Sequence, residues 1–220
     1  MAIAERNSYL ADIVGLLNTQ WPENRVVNIV CHGHSVPAGY FATPYVDTFN
    51  AYPHLLHLGL KRRFPYAVVN VIVSAVGGEN SATGASRFDT HVLTHRPDLV
   101  IIDYGLNDRG IGLQKARTAW EQMVEAMENA EVSVILLTPT ADITQRVGAP
   151  PEEGDELRRH ADQIRSLASD HEIGLSDSLA AFDEYQQQGD LSDLLAWTNH
   201  PNRAGHELVA RDLLRWFSFG

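Results

Sequence analysis

The segment Val26–Tyr40, VVNIVCHGHSVPAGY, passes from a short apolar, β-branched run straight into histidine, glycine and serine. Val26 to Val30 reads as a buried strand, so whatever follows lies at a strand's carboxyl end. Two chemistries fit that position. Cys31, His32 and His34 are zinc-capable donors within four residues. Ser35, behind Gly33, is a hydroxyl on a tight turn, where glycine relieves the crowding. The metal reading is the weaker one. Neighbours on a strand point to opposite faces, and no second ligand pair in the chain completes a site.

Outward from this segment, helical and strand patterns alternate. Leu10, Ile13, Val14, Leu16 and Leu17 mark an amphipathic helix before it. After it come a helix through Tyr52, Leu55, Leu56, Leu58 and Leu60, a strand AVVNVIV, and a helix expected over Thr83 to Thr94. DLVIIDY is a third strand, apolar almost throughout, with Asp103 expected to be a hydrogen-bonded structural acid. A helix from Gln114 to Ala130, a strand VSVILLT, a helix from Glu153 to Asp170, a short strand IGLSD and helices near Leu179 to Gln188 and Arg203 to Phe217 complete the chain. Such alternation predicts an α/β fold, a parallel sheet covered by helices on both faces, over one domain spanning residues 1–220. In such sheets ligands bind beyond the carboxyl ends of the strands, so the segments after each strand should carry the function.

Composition narrows the field. Hydrophobic residues make up 44% and charged residues 20% of the 220, an ordinary globular balance. The formal net charge of -11 argues against a nucleic-acid partner, which needs a positive footprint. KRRF, at Lys61 to Phe64, reads as a solvated helix end. No stretch reaches the roughly 20 apolar residues of a membrane span. The start, MAIAERNSYLADIVGLL, has neither a basic region nor a long apolar segment, so no signal peptide is expected there. A single cysteine, Cys31, fits a reducing, cytoplasmic setting.

The segments after the strands hold a nucleophile, donors and a base. Ser35 follows the first strand. Gly77 and Gly78, in AVGGENS, could turn a main-chain N–H toward a developing negative charge. In GLND, Asn107 could aim its amide at the same crevice, and Asp108 could hold the turn by accepting backbone N–H groups. In NHPNRAGH, Pro201 stiffens the chain after His200, as a general base requires; His206 reads as a first-turn helix residue. Each signal alone is common in ordinary turns. Together they make the complete set for acyl transfer.

These blocks resemble those of the SGNH (GDSL-type) hydrolase family: GHS its serine block, GGENS its glycine block, GLND its Gly-x-Asn-Asp block and HPNRAGH its histidine block. The resemblance implies a three-layer α/β/α fold with five parallel strands in the order 2-1-3-4-5. It implies a serine ester hydrolase with no cofactor and no metal, in which Ser35 is the nucleophile, His200 the base, and Gly78 and Asn107 oxyanion donors. Two positions depart from the pattern. His34 stands where the family usually has aspartate. Trp197 stands three residues before the histidine, where the family's acid belongs. A Ser35–His200 dyad is therefore expected, with the Trp197 carbonyl orienting the imidazole, or with Asp193 or Asp142 folding back as the acid.

The loop after Ser35 is long and aromatic, with Tyr40, Phe41, Tyr45, Phe49 and Tyr52. It reads either as a hydrophobic cluster or as a wall suited to sugar rings. His34, Tyr40, Tyr45 and Glu79 are the candidate substrate contacts. Without a continuous apolar channel, the expected partner is a small-molecule ester with a short acyl group, such as the acetyl ester of a carbohydrate. A thioesterase or lysophospholipase on the same site and a non-catalytic binding protein are the alternatives.

Overall fold

The computed structural model describes residues 2–218. In chain order it contains α1 (Ala11–Asn18), β1 (Val26–Gly33), α2 (Ser35–Ala38), α3 (Tyr52–Arg63), β2 (Val68–Ala75), α4 (Ser81–Ser86), α5 (Phe88–His91) and β3 (Leu99–Asp103). There follow α6 (Gly105–Asp108), α7 (Leu113–Asn129), β4 (Ser133–Leu137), α8 (Pro151–Asp170), β5 (Gly174–Ser176), α9 (Ser178–Gln186) and α10 (Arg203–Leu214). The five strands form one parallel sheet in the order β2-β1-β3-β4-β5. Among the described residues, no helix is long and apolar enough to cross a membrane.

Strand alternation builds the layers. Ile29, Cys31, Leu99, Ile101, Ile135 and Leu137 face one side, where they meet apolar residues of α1, α3, α9 and α10. Val30, Val100, Ile102, Val134 and Leu136 face the other side, against α4, α5, α7 and the later turns of α8. With both faces covered, the central strands have no polar side to present, which is why they read as unbroken apolar runs. Cys31 and His32 obey the same alternation. The thiol lies in the first layer, while the His32 ring packs against Phe88 and Tyr104 in the second. The donors of the sequence motif therefore diverge, and the described residues contain no group of three His, Cys, Asp or Glu placed to hold a metal ion.

Two boundaries differ from the sequence reading. β1 continues to Gly33 rather than ending at Val30, because Cys31, His32 and Gly33 still pair with β2 and β3. The helix expected over Thr83 to Thr94 is broken into α4, α5 and a 3-10 turn at Leu93–His95. Arg87 leaves helical geometry (φ -112, ψ 7), and its guanidinium reaches inward to Ser74 and Glu79.

The register decides where the site can be. Gly33 at the end of β1 lies opposite Ala75 on β2 and Asp103 on β3. The three following segments thus leave the sheet at one level, at the point where strand order reverses. Only glycine fits at 33, since a Cβ there would lie 2.5 Å from the Asp103 carbonyl oxygen and 2.7 Å from the Pro37 ring. Gly33→Ala should therefore cost ~1–3 kcal/mol of stability, the usual range for overpacking. Urea titration checks this, and a loss below ~0.5 kcal/mol with an unchanged m value would show that β1 and β3 can separate freely at this point.

Candidate active site

Ser35 is the first residue of α2, a helix of four residues. Its N-cap is His34, whose Nδ1 accepts the Val36 N–H at 3.3 Å. Gly39 closes the helix in the left-handed region (φ 90), returning the chain as Tyr40 N–H bonds the Ser35 carbonyl. As the first helical residue, Ser35 has a main-chain N–H with no partner inside the helix. The side chain itself is 7% exposed, so a single edge of the hydroxyl faces solvent.

His200 comes from the other end of the chain. An isolated bridge between Leu195 and Pro201 closes the turn that carries it. His200 Nε2 lies 2.9 Å from Ser35 Oγ, and His200 Nδ1 lies 3.0 Å from the Phe41 carbonyl. A carbonyl can only accept, so Nδ1 carries the proton and Nε2 is free to accept from the serine hydroxyl. Burial holds the His200 pKa below its ordinary value, and nearby His34 pushes it the same way; the Phe41 hydrogen bond opposes both. The ring is therefore neutral and basic at neutral pH.

The orienting group thus differs from each sequence expectation. The Trp197 carbonyl does not hold the imidazole. Residues 196–200 fold into a tight turn in which the N–H groups of Ala196 and Trp197 face the His200 carbonyl, at 2.9 and 3.5 Å, and the ring is turned away toward Phe41. The Trp197 side chain is 59% exposed. Asp193 is exposed and belongs to a capping box with Asp190, where it also accepts from Tyr185. Asp142 pairs with Arg109 at 2.7 Å and caps the 3-10 turn Ile143–Gln145. Phe41 had no sequence signal, because a backbone carbonyl has no residue signature. What holds it is His206: the Phe41 ring stacks on the His206 ring with centroids 5.1 Å apart. His206 is buried, its pKa pushed down to about 3 by that burial, and it accepts the Tyr52 N–H.

The glycine and asparagine segments are braced from behind. Val76 N–H bonds the Gly33 carbonyl, which ties the start of the loop to β1. Gly78 has φ +82, a conformation side chains resist, and nothing fills the space beside it. Asn107 donates one amide N–H to the Glu79 carbonyl at 2.8 Å, which fixes the side chain and leaves a second donor. Asp108 does hold backbone: its two oxygens accept the Ser81 N–H at 2.8 Å and the Trp120 indole at 2.7 Å. It is fully buried, and burial raises its pKa despite those bonds.

The Glu79 carboxylate is engaged within the protein. It is bound by the Arg87 guanidinium through Nε and Nη2, with the Tyr104 hydroxyl at 3.3 Å. Arg87 also reaches Ser74, and His32 joins Ser74 to Tyr104. Burial lowers the His32 pKa to about 4, so this ring stays neutral beside the arginine. Arg87 and Tyr104 were not legible in the sequence, since neither stands in a motif. His34 is fully buried, with Nδ1 3.3 Å from Ser35 Oγ. Of the aromatic loop, Tyr40 faces the site, its ring 6.2 Å from that of His200. Phe41 and Tyr52 are core residues, and Tyr45 is 60% exposed.

A pocket of about 300 Å³, lined by Ser35, Tyr40, Thr43, Gly77, Gly78 and His200, opens over this group. Asn107, Tyr45, Glu79 and His34 are not among the residues that line it. A hollow of about 380 Å³ between α4 and α7 is lined mainly by alanines and exposed polar residues and lacks any nucleophile–base pair. The pocket thus brings together a hydroxyl and a neutral imidazole aimed at it, the pairing that lets a serine attack a carbonyl carbon.

Comparison with known proteins shows the family and the fold. Residues 31–208 match the GDSL-like Lipase/Acylhydrolase family. An acetylxylan esterase of Geobacillus stearothermophilus is 25% identical over 177 residues, 73% of this chain and 77% of the relative. The structure of Axe2, an acetylxylan esterase from that organism, superposes with a TM-score of 0.76 at 21% identity, covering 88% of this chain and 95% of that one. A two-domain esterase active on acetylated mannans superposes with a TM-score of 0.73 at 21% identity, covering 98% of this chain and 54% of that one.

The His200 environment is open to direct measurement. Titration followed by NMR should place its midpoint below the ordinary histidine value of ~6.5. Asp193→Asn should leave that midpoint within about half a pH unit, because an exposed carboxylate is screened. A larger fall in Asp193→Asn would make Asp193 the partner of His200.

Proposed function

Because the chain belongs to the GDSL-like lipase/acylhydrolase family and is a carboxylic ester hydrolase, we propose that Ser35 is its nucleophile and that it removes acetyl groups from a carbohydrate. The observation that carries the assignment is the 2.9 Å contact between Ser35 Oγ and His200 Nε2 at the floor of the pocket. In the first step Ser35 Oγ bonds the ester carbonyl carbon while its proton passes to His200 Nε2. The His200 Nδ1–H stays on the Phe41 carbonyl and keeps the ring aimed. The negative charge that develops on the ester oxygen is met by the N–H groups of Ser35 and Gly78 and by the second amide N–H of Asn107. His200 then gives its proton to the departing alcohol. Water repeats the sequence on the acyl-enzyme and frees the acid.

The substrate reading rests on size and on kinship. A pocket of about 300 Å³ suits a short acyl group. Tyr40 supplies an aromatic wall, and tyrosine can both stack on a sugar ring and hydrogen-bond. The relatives named above act on acetylated polysaccharides. The lone thiol of Cys31, buried and with its pKa pushed up, fits a reducing cytoplasm.

Four measurements test this. Ser35→Ala should lose on the order of 10⁶ in kcat, and activity within tenfold of the parent would remove Ser35 from the role. Asn107→Ala should lose ~10²–10³ in kcat with little change in KM; a rise in KM alone would make Asn107 a binding residue instead. Acetylated oligosaccharides and p-nitrophenyl acetate should be turned over far faster than octanoyl esters or acyl thioesters, and the reverse order would reject the short-acyl reading. The rate should rise with pH through the lowered His200 pKa, so that activity persists below pH ~6.5, since the neutral imidazole is the base.

A further inference from the structure

Ser35 Oγ has a second imidazole beside it. His34 Nδ1 lies 3.3 Å from the same hydroxyl that His200 Nε2 meets at 2.9 Å. The Val36 N–H points at the same nitrogen, so His34 Nδ1 is unprotonated and the ring proton sits on Nε2. His34 Nε2 in turn lies 3.4 Å from Asp103 Oδ1, at ion-pair distance but without hydrogen-bond geometry while the ring is neutral, and both side chains are almost wholly buried. Ser35, His34 and Asp103 thus form a second serine–imidazole–carboxylate series, running down into the sheet instead of out along the loop. The register creates it: Asp103 ends β3 directly beside Gly33, one residue before His34.

We infer that His34, backed by Asp103, is a second proton acceptor for Ser35, so that the carboxylate missing beside His200 acts on the nucleophile through His34. The inference rests on Ser35 being the nucleophile. In this step Ser35 Oγ bonds the acyl carbon, its O–H bond breaks, the proton moves to His34 Nδ1 and displaces the Val36 N–H from that nitrogen, and the bond from the acyl carbon to the leaving oxygen then breaks. The imidazolium is then held by Asp103 through Nε2–H. His34 is fully buried and does not line the pocket, so it cannot hand the proton to a departing alcohol or activate a water. His200, on the pocket wall, must do both. The two imidazoles therefore differ in leaving-group reach: His34 suffices only where the leaving group departs without a proton.

That difference makes the test. His200→Ala, mixed with p-nitrophenyl acetate, should release about one equivalent of nitrophenol in a slow burst and then stall as the acyl-enzyme, while an alkyl acetate should give no burst. His200→Ala/His34→Asn and His200→Ala/Asp103→Asn should each slow that burst at least ~10-fold, the low end of general-base contributions being ~10². Asparagine keeps an acceptor at the α2 N-cap, so helix entry is preserved. If circular dichroism shows one double variant unfolded, the other decides. Added imidazole should restore turnover in His200→Ala and in the folded double variants, showing the serine site intact. Equal burst rates with and without His34 or Asp103 would overturn the inference, as would failure of imidazole to rescue the folded double variants, which would make the loss structural. A burst that survives Ser35→Ala in the same background would instead reject Ser35 as the nucleophile.

Discussion

Gly33 sits between two strands that end at its own level, Ala75 on one side and the carbonyl of Asp103 on the other. Everything at the site follows from that close approach. Lacking a Cβ, Gly33 lets β1 and β3 stay paired to their last residues, so the chain can turn at once into α2. Ser35 is then raised from the middle of the sheet with no slack. The neighbouring segments start from the same level, so Gly78 and Asn107 need only short turns to reach it. Asp103 meets His34 for the same reason.

Around that point the structure uses buried polar groups as fasteners. Asp108 joins α6 to α4 and α7, and the Glu79–Arg87 pair joins the glycine segment to α4 and to β2 through Ser74. Breaking such pairs strands a charge away from water, which costs ~3–5 kcal/mol where burial is complete. The pairs contribute less to net stability than to holding one arrangement. A donor for an oxyanion works by being in place before the charge develops, and the loop that carries Gly78 has few apolar contacts of its own to keep it there.

The base is supported differently from a serine–histidine–aspartate triad. The Phe41 carbonyl selects the tautomer of His200 as well as a carboxylate would, but it carries only a partial charge and stabilises the imidazolium less. Burial and the second ring lower the His200 pKa further in the same direction. The result is an imidazole that stays neutral over a wider pH range. A buried carboxylate is nevertheless present: Asp103 lies 3.4 Å from the Nε2 of His34, whose Nδ1 is 3.3 Å from Ser35 Oγ.

The chemistry-bearing residues and the order of the elements could be read without coordinates, because both are local. Apolar runs of strand length broken by helical periods dictate a covered parallel sheet, and glycine, asparagine and proline mark the turns after it. Ser35, Asn107 and His200 were visible as residue types suited to a task at strand ends. What supports them was not visible. The Phe41 carbonyl, the Glu79–Arg87–Tyr104 cluster and the His34–Asp103 contact join groups from 8 to 159 positions apart. Trp197, Asp193 and Asp142 lay near His200 in sequence or in loop order, yet the turn at 196–200 aims the ring elsewhere. Sequence spacing determines which residues share a turn. Which way a side chain points out of that turn, and which backbone carbonyl it then meets, was decided only when the register of β1 against β2 and β3 placed the loops side by side.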